Sequence, residues 1–393
     1  MAKTPDRSAA ALPADFTLLQ ITPALDGGGV EQVTVDVAAA VAAAGRASLV
    51  ASQGGRLEGE LKAAGAELVR LPMQSKNPIT VAVNGLRLTH VIRRQGVSLV
   101  HVRSRAPAFS ALAAARSAGV PLIATYHGIY SAEGALKRWY NAVMTRGDRV
   151  IANSVFTRDH IVAEHGLASN QIAVIPEGID TDRFDPAAVS PQRVAAMRQA
   201  WGLREGDTRT VILLAGRLTR LKGQLLLTEA LGRLADRDNV ILVLAGGGGR
   251  SGYRDEIEAA AAVAGLSDQV RLIGPCDDMP AAYLACDFVA APSTQPESFG
   301  RTVIEAAAMR RPVLAAAHGG PAETVVEGQT GWLVAPGDPD AWTAAMAAAI
   351  ATSPQDRAAM GERARRRAKQ LYSLPAMCDA TFEVYRDMLE GRE

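Results

Sequence analysis

Cysteine is scarce in this 393-residue chain: only Cys276, Cys286 and Cys378 are present, and no two of them have Cys-x-x-Cys spacing. That excludes a disulfide framework, which needs an even set, and a cysteine-based zinc site. Long apolar runs are missing too, since no stretch reaches the ~18 apolar residues that a membrane-spanning helix requires. The opening segment, MAKTPDRSAAALPADF, lacks the continuous apolar core of a signal peptide. Reduced cytosol is the expected compartment, and any membrane contact is expected to be peripheral. Acidic residues vanish from one region: Leu68 to Ala132 holds no Asp or Glu, while Arg70, Lys76, Arg87, Arg93, Arg94, Arg103, Arg105 and Arg116 fall within it. The overall charge of +1 hides this asymmetry, which describes either a solvated basic face or a surface for anions. A dinucleotide fingerprint is also absent, because the glycine-led stretch GGGVE has neither GxGxxG spacing nor a later acidic partner.

What is present is the composition of an ordinary globular protein, 48% hydrophobic and 21% charged, at a length that exceeds a single growing core. Apolar runs alternate with Ala-rich helical stretches: FTLLQITP, ASLVAS, ELVRLP, SLVHVRS, LIATYHG, RVIANS and IAVIPEG, then TVILLAGR, NVILVLAGG, VRLIGP, FVAAPS, PVLAAA and GWLVAP. Continuous apolar strands of this kind belong to parallel sheets covered by helices on both faces. The fold class is therefore α/β, with two doubly wound, Rossmann-like domains. Residues 1–15 read as a disordered tail, 16–188 as the first domain and 189–373 as the second. A linker is expected in TDRFDPAAVSPQRVAAMRQAWGLREGDT, and residues 374–393 read as an amphipathic helix packing back on the first domain. Doubly wound domains bind ligands outside the carboxyl ends of their strands, so a ligand site is expected in a cleft between two such domains.

The most informative stretch is PESFGRTVIEAA. Ser298 is the expected N-cap of a helix, and Gly300 lets a ligand approach a helix start where free N–H groups and the dipole favour phosphate. Phe299, Arg301 and Thr302 complete that turn. Glu297 sits at its mouth, and Glu305, eight residues on, lies about one turn deeper at ~1.5 Å per residue, able to accept bonds from vicinal hydroxyls. A second loop, AGRLTRLKG, carries Gly216, Arg217 and Lys222 after a strand; a guanidinium and an ammonium converging there suit a diphosphate leaving group without a metal. In the first domain, Gly28 and Gly29 open a helix after strand LLQIT, and His127 closes strand LIATY. The loop HGGPAETV is expected to reach the ligand through backbone amides, LAGGGGRSGY to be flexible, and Pro176 to Asp180 to shape the hinge.

Taken together and in order, GGGVEQ, YHG, IANS with IPEGIDTDRF, AGRLTRLKG, and ESFGRTVIE with HGGPAETVVEGQTGWLV resemble the retaining GT-B glycosyltransferases of family 4, from about Phe16 to Tyr385. The resemblance implies transfer of a sugar from a nucleoside diphosphate, UDP- or GDP-linked, with configuration kept, no required metal and no cofactor. It implies that Arg217 and Lys222 hold the diphosphate, Glu297 the donor sugar and Glu305 the ribose, that Gly28 and Gly29 close the phosphate site, and that His127 approaches the transferred sugar. Two positions depart from the family pattern: Glu177 stands where asparagine is frequent, and Arg103 where a second histidine is common. Arg103 and Arg105 are expected to add positive charge where the first domain faces the cleft.

The expected mechanism is front-face attack, in which the leaving phosphate oxygen helps deprotonate the acceptor while the protein supplies positioning and electrostatics. The acceptor is expected to be a glycan or glycolipid, in lipopolysaccharide or other cell-surface polysaccharide synthesis, at the inner face of the cytoplasmic membrane; no nucleic-acid partner is expected. Anionic headgroups would be met by the acid-free region together with Lys137, Arg138, Trp139 and Tyr140. The competing readings are a nucleotide-sugar epimerase or sugar phosphorylase on the same architecture, and a catalytically silent partner subunit.

Overall fold

The computed structural model describes residues 12–26, 28–130, 134–248 and 252–391. The chain divides into two compact units, one ending at Gly178 and regaining the chain from Leu374, the other running from Ile179 to Ser373. In the first, β1 (Thr17–Ile21), β2 (Ala47–Ser52), β3 (Glu67–Arg70), β4 (Leu99–Val102), β5 (Leu122–Tyr126), β6 (Arg149–Ala152) and β7 (Ile172–Val174) form one parallel sheet. Its order is β3-β2-β1-β4-β5-β6-β7. In the second, β8 (Thr210–Ala215), β9 (Val240–Ala245), β10 (Val270–Gly274), β11 (Phe288–Ala291), β12 (Val313–Ala316) and β13 (Gly331–Val334) are ordered β10-β9-β8-β11-β12-β13, again parallel. Each strand falls within one of the thirteen apolar runs of the sequence, because strands covered by helices on both faces carry no polar alternation to obscure them.

Helices cover both faces of each sheet. Behind the first, the helix Leu374–Glu390 buries Met377, Cys378, Phe382 and Tyr385 against Phe16, Val33 and Ile151. Burying a ring such as Phe382 contributes about 1.5–3 kcal/mol, which explains why this last helix belongs to the first unit.

Three expectations about organisation need correction. The tail is not wholly loose: Leu12 is buried in the same cluster, and its carbonyl accepts from Arg46 Nε and Nη2 at 3.1 and 2.9 Å. The first unit ends at Gly178 rather than 188. The segment read as a linker is core of the second unit, because Phe184, Val189, Trp201 and Leu203 are buried there with Ile179. Buried Arg365 ties it down further, donating to the Phe184 carbonyl at 3.3 Å and to Asp185 at 2.8 Å. Few apolar residues spread over a polar segment suffice to dock it, and composition alone does not reveal such sparse anchors.

Candidate functional site

In parallel sheets the loops leaving the strand carboxyl ends form the binding edge. In the second unit β8 runs into Gly216 and Arg217, then a 3-10 turn over Arg220–Lys222. Gly223 ends that turn with φ +74°, and a Cβ there would lie 2.1 Å from the Pro292 carbonyl oxygen, so glycine is required for the loops after β8 and β11 to meet. The meeting brings Lys222 Nζ to 2.7 Å from Glu297 Oε2, with only 20% and 17% of the two side chains exposed. The other Glu297 oxygen accepts from the Ser293 hydroxyl. His318 Nε2 lies 2.8 Å from the Ser293 carbonyl; a carbonyl only accepts, so Nε2 carries the proton and the imidazole braces the same loop.

The helix beyond runs from Arg301 to Ala308, and its cap is Gly300 at φ +90°, not Ser298. A Cβ on Gly300 would lie 2.7 Å from Pro321 Cγ, so the turn is both left-handed and crowded. Gly300 has no side chain with which to cap the first N–H groups of this helix, which starts at Arg301 and Thr302. Glu305, a turn further, accepts from Tyr283 Oη at 2.9 Å and from Arg301 Nε at 3.1 Å. Burial, reinforced by the Glu305 charge, pushes the Tyr283 phenol well above its ordinary range, so it remains a neutral donor.

Other expected site residues divide by surroundings. Arg217 is exposed, and its carbonyl accepts from Gln224 Nε2 at 2.9 Å. Ser298 and Thr302 are half-buried at the helix start. The Phe299 ring is buried and packs at 5.8 Å from Tyr372, which leaves only its backbone for a ligand. The Gly320 amide, expected to reach a ligand, donates instead to the Glu297 carbonyl at 2.9 Å; the HGG loop thus supports Glu297 from behind. Of the four-glycine loop, Gly246 is tied to the Gly274 carbonyl at 2.7 Å, and residues 249–251 lie outside the described residues.

In the first unit, Gly28 precedes the helix Gly29–Ala43 with an extended φ of 169°, a conformation open to any residue, and Gly27 lies outside the described residues. His127 follows β5 with its side chain 3% exposed, and its Nδ1 lies 3.1 Å from Glu177 Oε1. The first unit ends at Gly178, inside the Pro176 to Asp180 stretch read as a hinge, and Glu177 beside that boundary is buried and also accepts from Asn153 Nδ2 at 3.0 Å. Arg103, expected at an open face, is buried as well, with Nε donating to Gln20 Oε1 at 2.7 Å. Arg105 donates to Asn141 Oδ1 at 2.6 Å and covers the Tyr130 ring at 3.8 Å. Tyr283 escapes a reading by motif because its partner Glu305 comes 22 residues later from another helix, while Ser293 lies four residues before Glu297 on one loop and outside the motif PESFGRTVIEAA.

Two strand-end clusters on two doubly wound units define a GT-B type glycosyltransferase, and comparison with known proteins agrees. The family model for glycosyl transferases group 1 matches residues 197–367, and that for glycosyltransferase family 4 matches residues 27–183. The D-inositol 3-phosphate glycosyltransferase of Salinispora arenicola is 32% identical over 290 residues, 68% of this chain and 63% of that protein. The chain thus spans less than two thirds of that relative, and 59% of the corresponding Kineococcus radiotolerans protein. A glycosyltransferase crystal structure from Rickettsia africae matches with a TM-score of 0.88 and 30% identity, over 96% of this chain and 99% of that one. Anabaena HepE in complex with UDP-glucose shares the fold, with a TM-score of 0.82 at 24% identity over 94% and 99% of the two chains. The chain belongs to the group 1, family 4 glycosyltransferases.

Proposed function

We propose that this protein transfers a sugar from a nucleoside diphosphate sugar to a hydroxyl of an anionic acceptor, keeping the anomeric configuration and using no metal. The observation that carries the reading is the ion pair of Lys222 with Glu297 at 2.7 Å, one loop from a helix start whose cap is a glycine. In this reading Lys222 and Arg217 neutralise the diphosphate, aided by the backbone N–H groups of Arg301 and Thr302. Glu297, held by Ser293, meets the donor sugar; Glu305, held by Tyr283, meets the ribose; His127 serves the transferred sugar. Departure of the diphosphate from the same face lets its oxygen take the acceptor proton, so no protein nucleophile is required. UDP is the first base to test, since the HepE structure holds UDP-glucose. Turnover of UDP- and GDP-sugars, with and without acceptor and with a chelator, tests the assignment: a transferase consumes donor only with acceptor and is indifferent to chelator. Acceptor-free isomerisation of the donor would instead establish an epimerase.

An anionic acceptor is supported from two sides. The relatives' name specifies an inositol phosphate, and the acid-free region of the first unit exposes Arg87, Arg93 and Arg94 on the helix Pro78–Arg94. That helix also presents Ile79 and Leu86, 76% and 75% exposed, while Leu136 and Trp139 are exposed on Ala135–Asn141. Exposed apolar side chains amid cations suit a peripheral contact with anionic lipid, each cation adding about 1 kcal/mol near the surface. Among the described residues no helix is long and apolar enough to cross a membrane. Cosedimentation with anionic and neutral vesicles at low and high salt tests the contact; equal, negligible binding would leave a soluble phosphorylated acceptor.

A further inference from the structure

Four adjacent strands of the first sheet, β4 to β7, each deliver a polar side chain just past their carboxyl ends: Arg103, His127, Asn153 and Glu177. All four line one small cavity of about 20 Å³ within this unit. A guanidinium and a carboxylate are both withdrawn from water there, Arg103 being 3% and Glu177 7% exposed. Taking either charge out of water alone costs several kcal/mol, so such groups persist where they hold each other or serve chemistry. Burial depresses the pKa of the Arg103 guanidinium, and Tyr385, Cys378 and then the Glu177 charge act against that depression.

Hydrogen-bond directions fix the rest. Ser154 Oγ donates to Thr157 Oγ1 at 2.9 Å, Thr157 Oγ1 to Asn153 Oδ1 at 3.0 Å, and Asn153 Nδ2 to Glu177 Oε1 at 3.0 Å. The chain is one-directional, so it orients the Asn153 amide and ends on the same carboxylate oxygen that faces His127. A carboxylate only accepts, hence the proton on the His127 ring sits on Nδ1. We propose that Glu177 is a positioning residue for His127, fixing its ring and its Nδ1–H form, and that Arg103 is the buried countercharge that lines the same cavity. With Nδ1 committed to Glu177, any proton exchange between this ring and a substrate hydroxyl runs through Nε2. The catalytic consequence rests on the reading of His127 as a contributor to sugar transfer; the positioning itself does not.

The test uses the full chain labelled with ¹⁵N-histidine, the His127 signal being assigned by its loss in His127→Gln. Wild-type protein is expected to show His127 protonated at Nδ1, and Glu177→Leu to move the ring toward the Nε2–H form. An unchanged pattern overturns the positioning role. Thermal unfolding tests the countercharge: Arg103→Met alone is expected to lower the melting temperature by about 5–10 °C, and Arg103→Met/Glu177→Gln to regain most of it. A double variant that melts as low as Arg103→Met overturns the coupling. Turnover separates positioning from mere stability, since Glu177→Gln and the double variant should both lose at least tenfold in kcat while UDP affinity by calorimetry stays at the wild-type level. Recovery of kcat together with the melting temperature would overturn the catalytic consequence. Because the spectra and melts need no turnover, a failure of the transferase reading would appear separately, as a wild-type protein that consumes no donor while His127 still responds to Glu177.

Discussion

At the scale of single residues, the second-unit site consists of carboxylates whose partners prepare them for different tasks. Glu297 is paired with Lys222 and accepts from an aliphatic hydroxyl, Ser293, and Glu305 is paired with Arg301 and accepts from the buried phenol of Tyr283. Removing Lys222 removes charge neutralisation and leaves Glu297 with the Ser293 hydroxyl. Lys222→Ala is therefore expected to reduce kcat/KM by about 2–4 kcal/mol, a loss of roughly 30- to 1,000-fold. The glutamates should separate by ligand in titration calorimetry: Glu305→Gln weakens free nucleotide and nucleotide sugar alike, while Glu297→Gln spares free nucleotide and damages transfer. The reverse pattern would exchange their roles. Tyr283→Phe keeps the ring's volume and removes only the donor to Glu305, so it should cost about 1 kcal/mol in stability by urea unfolding and weaken nucleotide binding several-fold.

At the scale of elements, the two glycine-led helix starts make opposite predictions. Gly300 has φ +90° and a proline carbon in the space of a Cβ, whereas Gly28 is extended and a Cβ there would meet only the mobile end of Glu31. Gly300→Ala should thus cost at least about 1–2 kcal/mol in urea unfolding and displace the start of Arg301–Ala308, lowering nucleotide affinity. Gly28→Ala should leave stability within about 0.5 kcal/mol. This contrast marks what the sequence can disclose. The thirteen strands were legible because parallel strands buried on both faces are written as uninterrupted apolar runs, and the spaced pair Glu297 and Glu305 was legible because one loop and one helix carry both. Ser298 misled as a cap because side-chain chemistry favours serine there, while the left-handed turn and the contact with Pro321 select Gly300. The stretch around Glu177 was legible as the passage between units, but its pairing was not, because its partners His127 and Asn153 lie 50 and 24 residues away and are brought to it by neighbouring strands and by no local pattern.

At the scale of the whole molecule, buried titratable groups limit stability at both ends of the pH range. Burial pushes the Tyr126, Tyr283 and Tyr385 phenols above their ordinary range, and in the folded protein they resist losing a proton that the unfolded chain releases near about pH 10. Their contribution is thus complete below that pH and is lost as pH rises above it. Loss of the folded circular dichroism at high pH should coincide with a step in tyrosinate absorbance, and alkaline unfolding without such a step would contradict this. His101 acts on the other side. Its Nδ1 meets Tyr385 Oη at 2.7 Å and its Nε2 meets Thr125 Oγ1 at 2.6 Å, while burial and then the Arg103 charge hold its pKa well below the usual histidine value. The native ring stays neutral where the unfolded one takes up a proton, so stability contributed by His101 is present above about pH 6.5 and falls as pH drops below it. His101→Gln retains one donor and one acceptor without titrating, so it should be less stable than wild type at pH 8, and the gap should narrow steadily from pH 6.5 to 4.5 in urea titrations. A constant difference across that range would mean that His101 contributes packing and hydrogen bonds only, and that the acid limb arises elsewhere.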